Sequence, residues 1–395
     1  MKIRNSIQAL KNEFAAYRRE LHQNPQTSFE ESFISDFIAS KLSAWGIEHE
    51  RGIGGETGIV VTIHGQSNTS GKVIALRADM DALDIAETQN KDWVSKTDGK
   101  MHGCGHDGHS TCLLATAKYL KENNGFDGVL HLIFQPAEET GEGARAMMKD
   151  GLFERFPCDA IYAMHNWPYA PLGQFDINVG PTMASVDRFE IIIQGKGGHA
   201  SKPYTLIDPI TIAAQIVNGL QTIISRETDA LDSAVLSITN INGGTGAFNV
   251  IPDQVTLSGT VRTYSEALKT KIEKRIGEIS SGISESYGAT THYTYTRMIE
   301  PTINDPKHAK TCAEVAQSQG AIVITDGNPS MGGEDFGAFL QVIPGAYVKI
   351  GQAIEGDTQH RCSQGLHNAG YDFNDDLIPI ATEYWVRLVE HVLKV

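Results

Sequence analysis

The densest run of reactive side chains is Met101-His102-Gly103-Cys104-Gly105-His106-Asp107-Gly108-His109. Thiolate, imidazole and carboxylate groups so close together, spaced by glycines, suit a loop wrapped around a metal ion. A closed structural zinc site would want paired Cys-x-x-Cys or His-x-x-x-His spacing, which the run lacks. A Cys–His nucleophile pair also fits the residue types. Against it, carboxylates crowd the neighbouring strand ends, where thiol chemistry has little use for them.

The second signal is Glu138-Glu139, which follows the apolar run Val129–Phe134 and Pro136. On extended backbone adjacent side chains diverge, so one glutamate can ligate a metal while the other reaches a bound water. Adjacent glutamates ordinarily sit on solvated surface; their place after a buried strand argues otherwise. His165 and His367, the latter in Gly365-Leu366-His367-Asn368, add two imidazoles. Each alone reads as a structural histidine.

The elements that must position these groups follow from hydropathy. The runs Val73–Ala78, Val129–Phe134 and Ala160–Met164 read as buried strands, and Thr111–Lys121 and Ala144–Lys149 as helices between them. That alternation predicts a mostly parallel sheet covered by helices on both faces. The strands run out into Arg77-Ala78-Asp79-Met80-Asp81, Gln135-Pro136-Ala137-Glu138-Glu139 and His165-Asn166. Those carboxyl ends lie on the edge where open α/β sheets bind ligands.

From Val186 the rhythm changes. Strands are expected over Val186–Gly195, Ala234–Ile241, Gln254–Tyr264 and Thr291–Met298. A helix opens at Asp208-Pro209 by capping chemistry, with Ile210, Ala213, Ala214, Val217, Leu220 and Ile224 as its apolar face. A second helix covers Ser265–Tyr287. The order β-α-β-β-α-β is that of a ferredoxin-like split unit. After Pro301 the α/β pattern resumes, ending in a helix over Leu377–Leu393. The fold class is therefore α/β with two domains: a discontinuous one over 1–183 and 297–395, and an α+β one inserted over 184–296. At the N-terminus Ile7, Leu10, Phe14, Tyr17 and Leu21 mark an amphipathic helix, with Lys11, Arg18, Arg19 and Glu20 on its polar side.

Seven strings bear on family: Arg77 to Leu83, Met101 to His109, Gln135 to Glu142, His165-Asn166-Trp167-Pro168, Gly197-Gly198-His199-Ala200-Ser201, Gly246 to Asp253, and Gly333-Glu334-Asp335-Phe336. Together, in this order, they resemble the M20 metallopeptidase family, and within it the amidohydrolase branch of hippurate hydrolases, N-acyl-amino-acid deacylases and auxin-conjugate hydrolases. The resemblance implies a catalytic α/β domain with an inserted lid that also dimerises. It implies two divalent ions (Zn, Mn, Co or Ni) held by Cys104, His106, Glu139, His165 and His367, with Cys104 bridging where other branches have aspartate. Glu138 matches the general base acting on a water between the metals. Asp81 matches an acid behind the ligands, and His199 the lid histidine that steadies the oxyanion, often across a dimer. Asn249 and Arg262 resemble lid residues that meet the substrate carboxylate. One departure is Asp84, where the branch usually has proline.

The implied reaction is metal-dependent hydrolysis of the amide of an N-acyl amino acid by a homodimer. Two rivals stay open: a dipeptidase or aminoacylase with the same metals, and a catalytically silent protein that binds a small acid. Composition bounds the remainder. The chain has 395 residues, more than one core usually organises, and its 41% hydrophobic and 21% charged content is that of a globular protein. A formal net charge of −15 argues against nucleic-acid or anionic-membrane partners. The unpaired set of five cysteines and the lack of an apolar leader make the cytoplasm the expected location.

Overall fold

The computed structural model describes residues 1–88 and 91–395. It divides into two compact units. One comprises Met1–Thr182, Thr302–Pro329 and Asp335–Val395; the other comprises Met183–Pro301 and Ser330–Glu334. The short return segment Ser330–Glu334 carries no hydropathy signal of its own.

The first unit is built on an eight-stranded sheet. Its order is His49–Arg51, Ile59–His64, Val129–Gln135, Val73–Asp79, Ala160–Pro171, Gly345–Ala353, Phe175–Asp176, Val323–Ile324. The four central strands, from Val129–Gln135 to Gly345–Ala353, are mutually parallel, and Ile59–His64 runs antiparallel to Val129–Gln135. Parallel strands covered on both faces should read as unbroken apolar runs rather than alternation. Gly345–Ala353 is buried without alternation, every residue but the last, although Lys349 and Gln352 interrupt its apolar run. Helices Asn5–His22, His106–Glu122 and Leu377–Val392 pack on one another beside this sheet. Leu113, Leu114 and Leu120 of the second are fully buried, each worth about 1.5–3 kcal/mol of transfer free energy.

Two local expectations change. The strand from Ala160 does not end at His165-Asn166 but runs on to Pro171, so His165 lies inside the strand. Arg18, expected on the solvent side of the first helix, is 0% exposed. Carboxylates from distant segments turn inward to meet it, and hydropathy along one helix cannot register them.

The second unit has a four-stranded antiparallel sheet in the order Ala234–Gly243, Gln254–Thr263, Val186–Gln194, Thr290–Ile299. Burial alternates along Val186–Gln194, the period-two pattern of a sheet with one covered face. Helices Pro209–Thr222 and Glu266–Ser286 supply that cover, enclosing Phe189, Ile191, Ile193, Leu257 and Ile272. Asp208 caps the first by accepting from the Ile210 N–H at 2.9 Å, and Ser265 caps the second through the Leu268 N–H. The buried stripe of the first helix is Ile212, Ala213, Ile216 and Leu220, and Ile210 stands 49% exposed. That helix is apolar on more than one side, so hydropathy leaves the phase of its stripe open.

Candidate metal centre

Each segment that carries a candidate ligand is bent by its local sequence. Gly105 sits at φ 98° just before helix His106–Glu122 begins. A Cβ there would lie 2.3 Å from Asn166 Oδ1, so only glycine fits. Ala137 (φ 53°) and His367 (φ 62°) take the left-handed conformation, unusual for residues with side chains and frequent at functional sites. The Glu138-Glu139 pair therefore lies in a turn rather than on the extended backbone expected from the sequence. His367 is fixed by its own N–H, which donates to Gly103 O at 2.9 Å.

The candidates of the first unit converge. One ligand atom each of Cys104, His106 and His165 lie within 4.8 Å of one another, as do those of Cys104, Glu139 and His367. Cys104 belongs to both triads. His106 Nε2 is 3.9 Å from Glu138 Oε2 and 3.9 Å from Glu139 Oε1, so the turn aims both carboxylates at one imidazole. His367 Nε2 is 3.4 Å from Glu139 Oε2. Cys104, His106 and His165 are buried, whereas the His367 side chain is 53% exposed, so the cluster opens on that side.

Partners behind the candidate ligands set their orientation. Asp81 accepts from His106 Nδ1 at 3.2 Å, from the Glu139 N–H at 2.9 Å and from Ser28 Oγ at 2.8 Å. His165 Nδ1 donates to the Asn166 carbonyl at 2.6 Å, which leaves Nε2 as a lone pair 3.4 Å from Cys104 Sγ. Burial holds the His165 pKa well below the usual imidazole range, the neutral form a ligand needs.

The donor set fits divalent metal. His106 Nε2 and Glu139 Oε1 are both buried without a hydrogen-bond partner, and such orphans each cost ~1–3 kcal/mol unless something satisfies them. Burial lifts the Glu139 pKa to about 7. For His106, burial opposes the charged form, yet Asp79, Asp81 and Glu139 outweigh it and raise the pKa to about 10. The carboxylates thus demand a positive charge at that nitrogen, and a divalent ion supplies it without the proton. Thiolate, imidazole and carboxylate together accept Zn, Mn, Co or Ni.

Residues outside the candidate set complete the site. His109 bridges Asp79 Oδ1 and Asn166 Oδ1, both at 2.6 Å, and Asn166 Nδ2 donates to Tyr371 OH at 2.6 Å. Asp79 and His109 stand inside strings singled out by sequence, but only the fold shows their pairing. Asp84 follows Leu83, whose backbone pairs with Met101 in both directions at 3.0 Å.

The remaining candidates lie in the second unit. The strand pair Val250–Ile251 and Gly198–His199 sets Asn249 beside His199, and the Ala200 N–H donates to Asn249 O at 3.0 Å. The Ser201 N–H donates to His199 Nδ1 at 3.1 Å, so the neutral ring carries its proton on Nε2. Arg262 bonds only to Thr260 Oγ1 (3.2 Å) and Met331 O (3.3 Å), and no carboxylate among the described residues pairs with it.

Known proteins share this architecture. Residues 75–391 match the Peptidase family M20/M25/M40. The chain is 37% identical over 378 residues to the N-acetylcysteine deacetylase of Bacillus subtilis, covering 95% of this chain and 96% of that one. It is 38% identical over 387 residues to the hippurate hydrolase of Campylobacter jejuni, with 98% of each covered. A crystal structure described as a dinuclear metal-binding peptidase of the M20 family, from Bacillus subtilis, superposes with a TM-score of 0.85 at 34% identity, covering 98% of this chain and 99% of that one. With these relatives and this cluster of donors, the chain belongs to the M20/M25/M40 peptidase family and is a metal-dependent amidohydrolase.

Proposed function

We propose that the protein hydrolyses the amide of N-acyl amino acids, with Glu138 as general base and the second unit acting as a lid over the substrate. The observation that carries this reading is the pair of carboxylates at His106. Two glutamates reach the same nitrogen at 3.9 Å, one as ligand and the other as base. Two divalent ions, held by Cys104, His106, Glu139, His165 and His367, supply Lewis-acid polarisation of the carbonyl and acidify water. Glu138, 8% exposed, takes the proton of the attacking water and returns it to the leaving amine. His199, locked with Nε2–H outward, donates to the oxyanion, a contact typically worth ~3 kcal/mol. Arg262, without a carboxylate of its own, pairs with the α-carboxylate through two parallel N–H groups, and Asn249 adds an amide beside His199. The relatives named for N-acetylcysteine deacetylation and hippurate hydrolysis support an acyl donor of this kind.

Leu231, Ile241 and Phe248 of the second unit are exposed apolar side chains, which supports pairing of two chains through that unit. Among the described residues no helix is long and apolar enough to cross a membrane.

The test is turnover of N-acetyl, N-benzoyl and indole-acetyl amino acids and of dipeptides by chelator-stripped protein, with Mn, Zn, Co or Ni restored. Recovery with metal and preference for N-acyl amino acids supports the reading. Faster turnover of dipeptides would reassign the substrate, and inactivity under every metal with retained binding would end the catalytic reading.

A further inference from the structure

The buried guanidinium of Arg18 touches two segments that each follow a candidate metal ligand. Its Nη1 lies 3.5 Å from Asp107 Oδ2 and 2.9 Å from Asp372 Oδ1, and its Nε donates to Asp375 Oδ1 at 2.8 Å. Asp107 directly follows His106, and Asp372 lies five residues after His367, past the turn Asn368–Tyr371. The same helix adds His22, whose Nδ1 lies 2.8 Å from the same oxygen of Asp107. The N-terminal helix therefore grips the first turn of helix His106–Glu122, directly after Cys104, and the His367–Asp375 segment at once.

Stability alone does not explain this arrangement. Buried ion networks lose in desolvation much of what they gain in attraction, and well-packed apolar residues would serve a helix interface as well. A planar, permanently charged fork does offer fixed geometry toward several carboxylates together, which a lysine cannot reproduce. The two triads differ in what they require. Cys104, Glu139 and His367 draw on both gripped segments, whereas Cys104, His106 and His165 draw on only one of them.

We propose that Arg18 is a positioning residue that sets the register between the Cys104 loop and the His367 turn, and so governs occupancy of the metal held by Cys104, Glu139 and His367. This rests on the ligand set proposed above. Arg18 touches neither metal nor substrate; it acts through Asp107, Asp372 and Asp375. Loss of the fork weakens one ion selectively.

The experiment is Mn²⁺ titration of chelator-stripped full-length protein by calorimetry, with bound metal counted by mass spectrometry. Wild type takes up two ions. Arg18→Lys, which keeps the charge and loses the fork, should bind one ion as wild type does and the other about tenfold or more weakly, the size usual for residues behind a ligand. Arg4→Met is the control: it breaks an ion pair with Glu390, 2.9 Å away, at the N-cap of the same helix, and should lower Tm while leaving both affinities unchanged. If Arg18→Lys binds both ions like wild type, or if Arg4→Met reproduces its loss, the brace is wrong while the ligand set stands. If wild type takes up fewer than two ions, the ligand set falls and the brace with it. Should Arg18→Lys fail to fold, Asp375→Asn must show the same split between the ions, and equal affinities there overturn the proposal.

Discussion

Asp81 grips His106 through Nδ1 at 3.2 Å and, with its other oxygen, accepts the backbone N–H of Glu139 at 2.9 Å. One carboxylate thus aims an imidazole and pins the turn that carries the candidate ligand Glu139. Asp81→Ala should lower metal affinity by about 10–100-fold. Asp81→Asn should fail similarly, because an amide has one acceptor oxygen where two donors approach separate oxygens. Competition against a chelator of known affinity measures this, and an unchanged affinity in both variants would remove Asp81 from the orienting role.

Glu138 and Glu139 are neighbours in sequence and in space, so the assignment of base and ligand between them needs its own test. Glu138→Gln keeps size and polarity but cannot take a proton. Its kcat should fall by about 10²–10⁴ while both ions stay bound. Glu139→Gln should instead lose metal, since an amide oxygen is a weaker ligand than a carboxylate. If the two variants exchange these phenotypes, the roles are reversed.

Much of this site is readable before any coordinates. Apolar runs ending in charged or imidazole residues place Asp79, Asp81, Glu138 and His165 on one sheet edge, because a parallel sheet collects its strand ends. What hides is whatever depends on distant partners. Arg18 reads as surface until Asp107, Asp372 and Asp375 are seen around it. The turn at Glu138 hides because its left-handed residue is Ala137, a type that gives no warning of positive φ. The pairing of His109 with Asp79 and Asn166 likewise needs three segments brought together by the fold.

In the proposed reading the second unit serves the substrate and the first unit the metal. His199→Ala removes the Nε2–H donor and should reduce kcat by about 10²–10³ with metal content unchanged. Arg262→Lys keeps charge but loses the bidentate fork, so KM should rise more than kcat falls. Steady-state kinetics alongside metal analysis separates the two effects. Loss of metal from His199→Ala would mean that the residue has been misplaced.

His131 makes a pH prediction. It lies in the central sheet, 6% exposed, with its Nδ1 3.0 Å from Thr62 Oγ1. Burial, with His64 nearby, pushes its pKa down to about 4, against about 6.5 in the unfolded chain. Below pH 6.5 the unfolded chain binds a proton that the folded one refuses until about pH 4. Stability present above 6.5 is therefore lost as pH falls through that window, on the order of 3 kcal/mol in total. His131→Gln removes this contribution, so the stability gap between wild type and variant should shift in the variant's favour by that amount between pH 7 and pH 4. Denaturant unfolding at each pH measures it, and a constant gap would show that His131 titrates normally.

Metal should stabilise the first unit, which supplies every ligand of the two triads. Without an ion, His106 Nε2 and Glu139 Oε1 are buried with nothing to bond, and the protons favoured by His106 and Glu139 are a poor substitute for a dication. An ion that binds only the folded state adds RT ln(1 + [L]/Kd), about 4 kcal/mol at a thousandfold excess over Kd. That corresponds to several degrees in the unfolding temperature of a unit of this size. Chelation should lower the transition and Mn, Zn, Co or Ni should restore it, with the rise dependent on metal concentration. Hydrogen exchange should locate the gain at Gly103–Asp107, Ala137–Glu139 and the His367 turn, where left-handed residues hold the ligands. A concentration-independent transition, or protection appearing only in the second unit, would place the metal elsewhere.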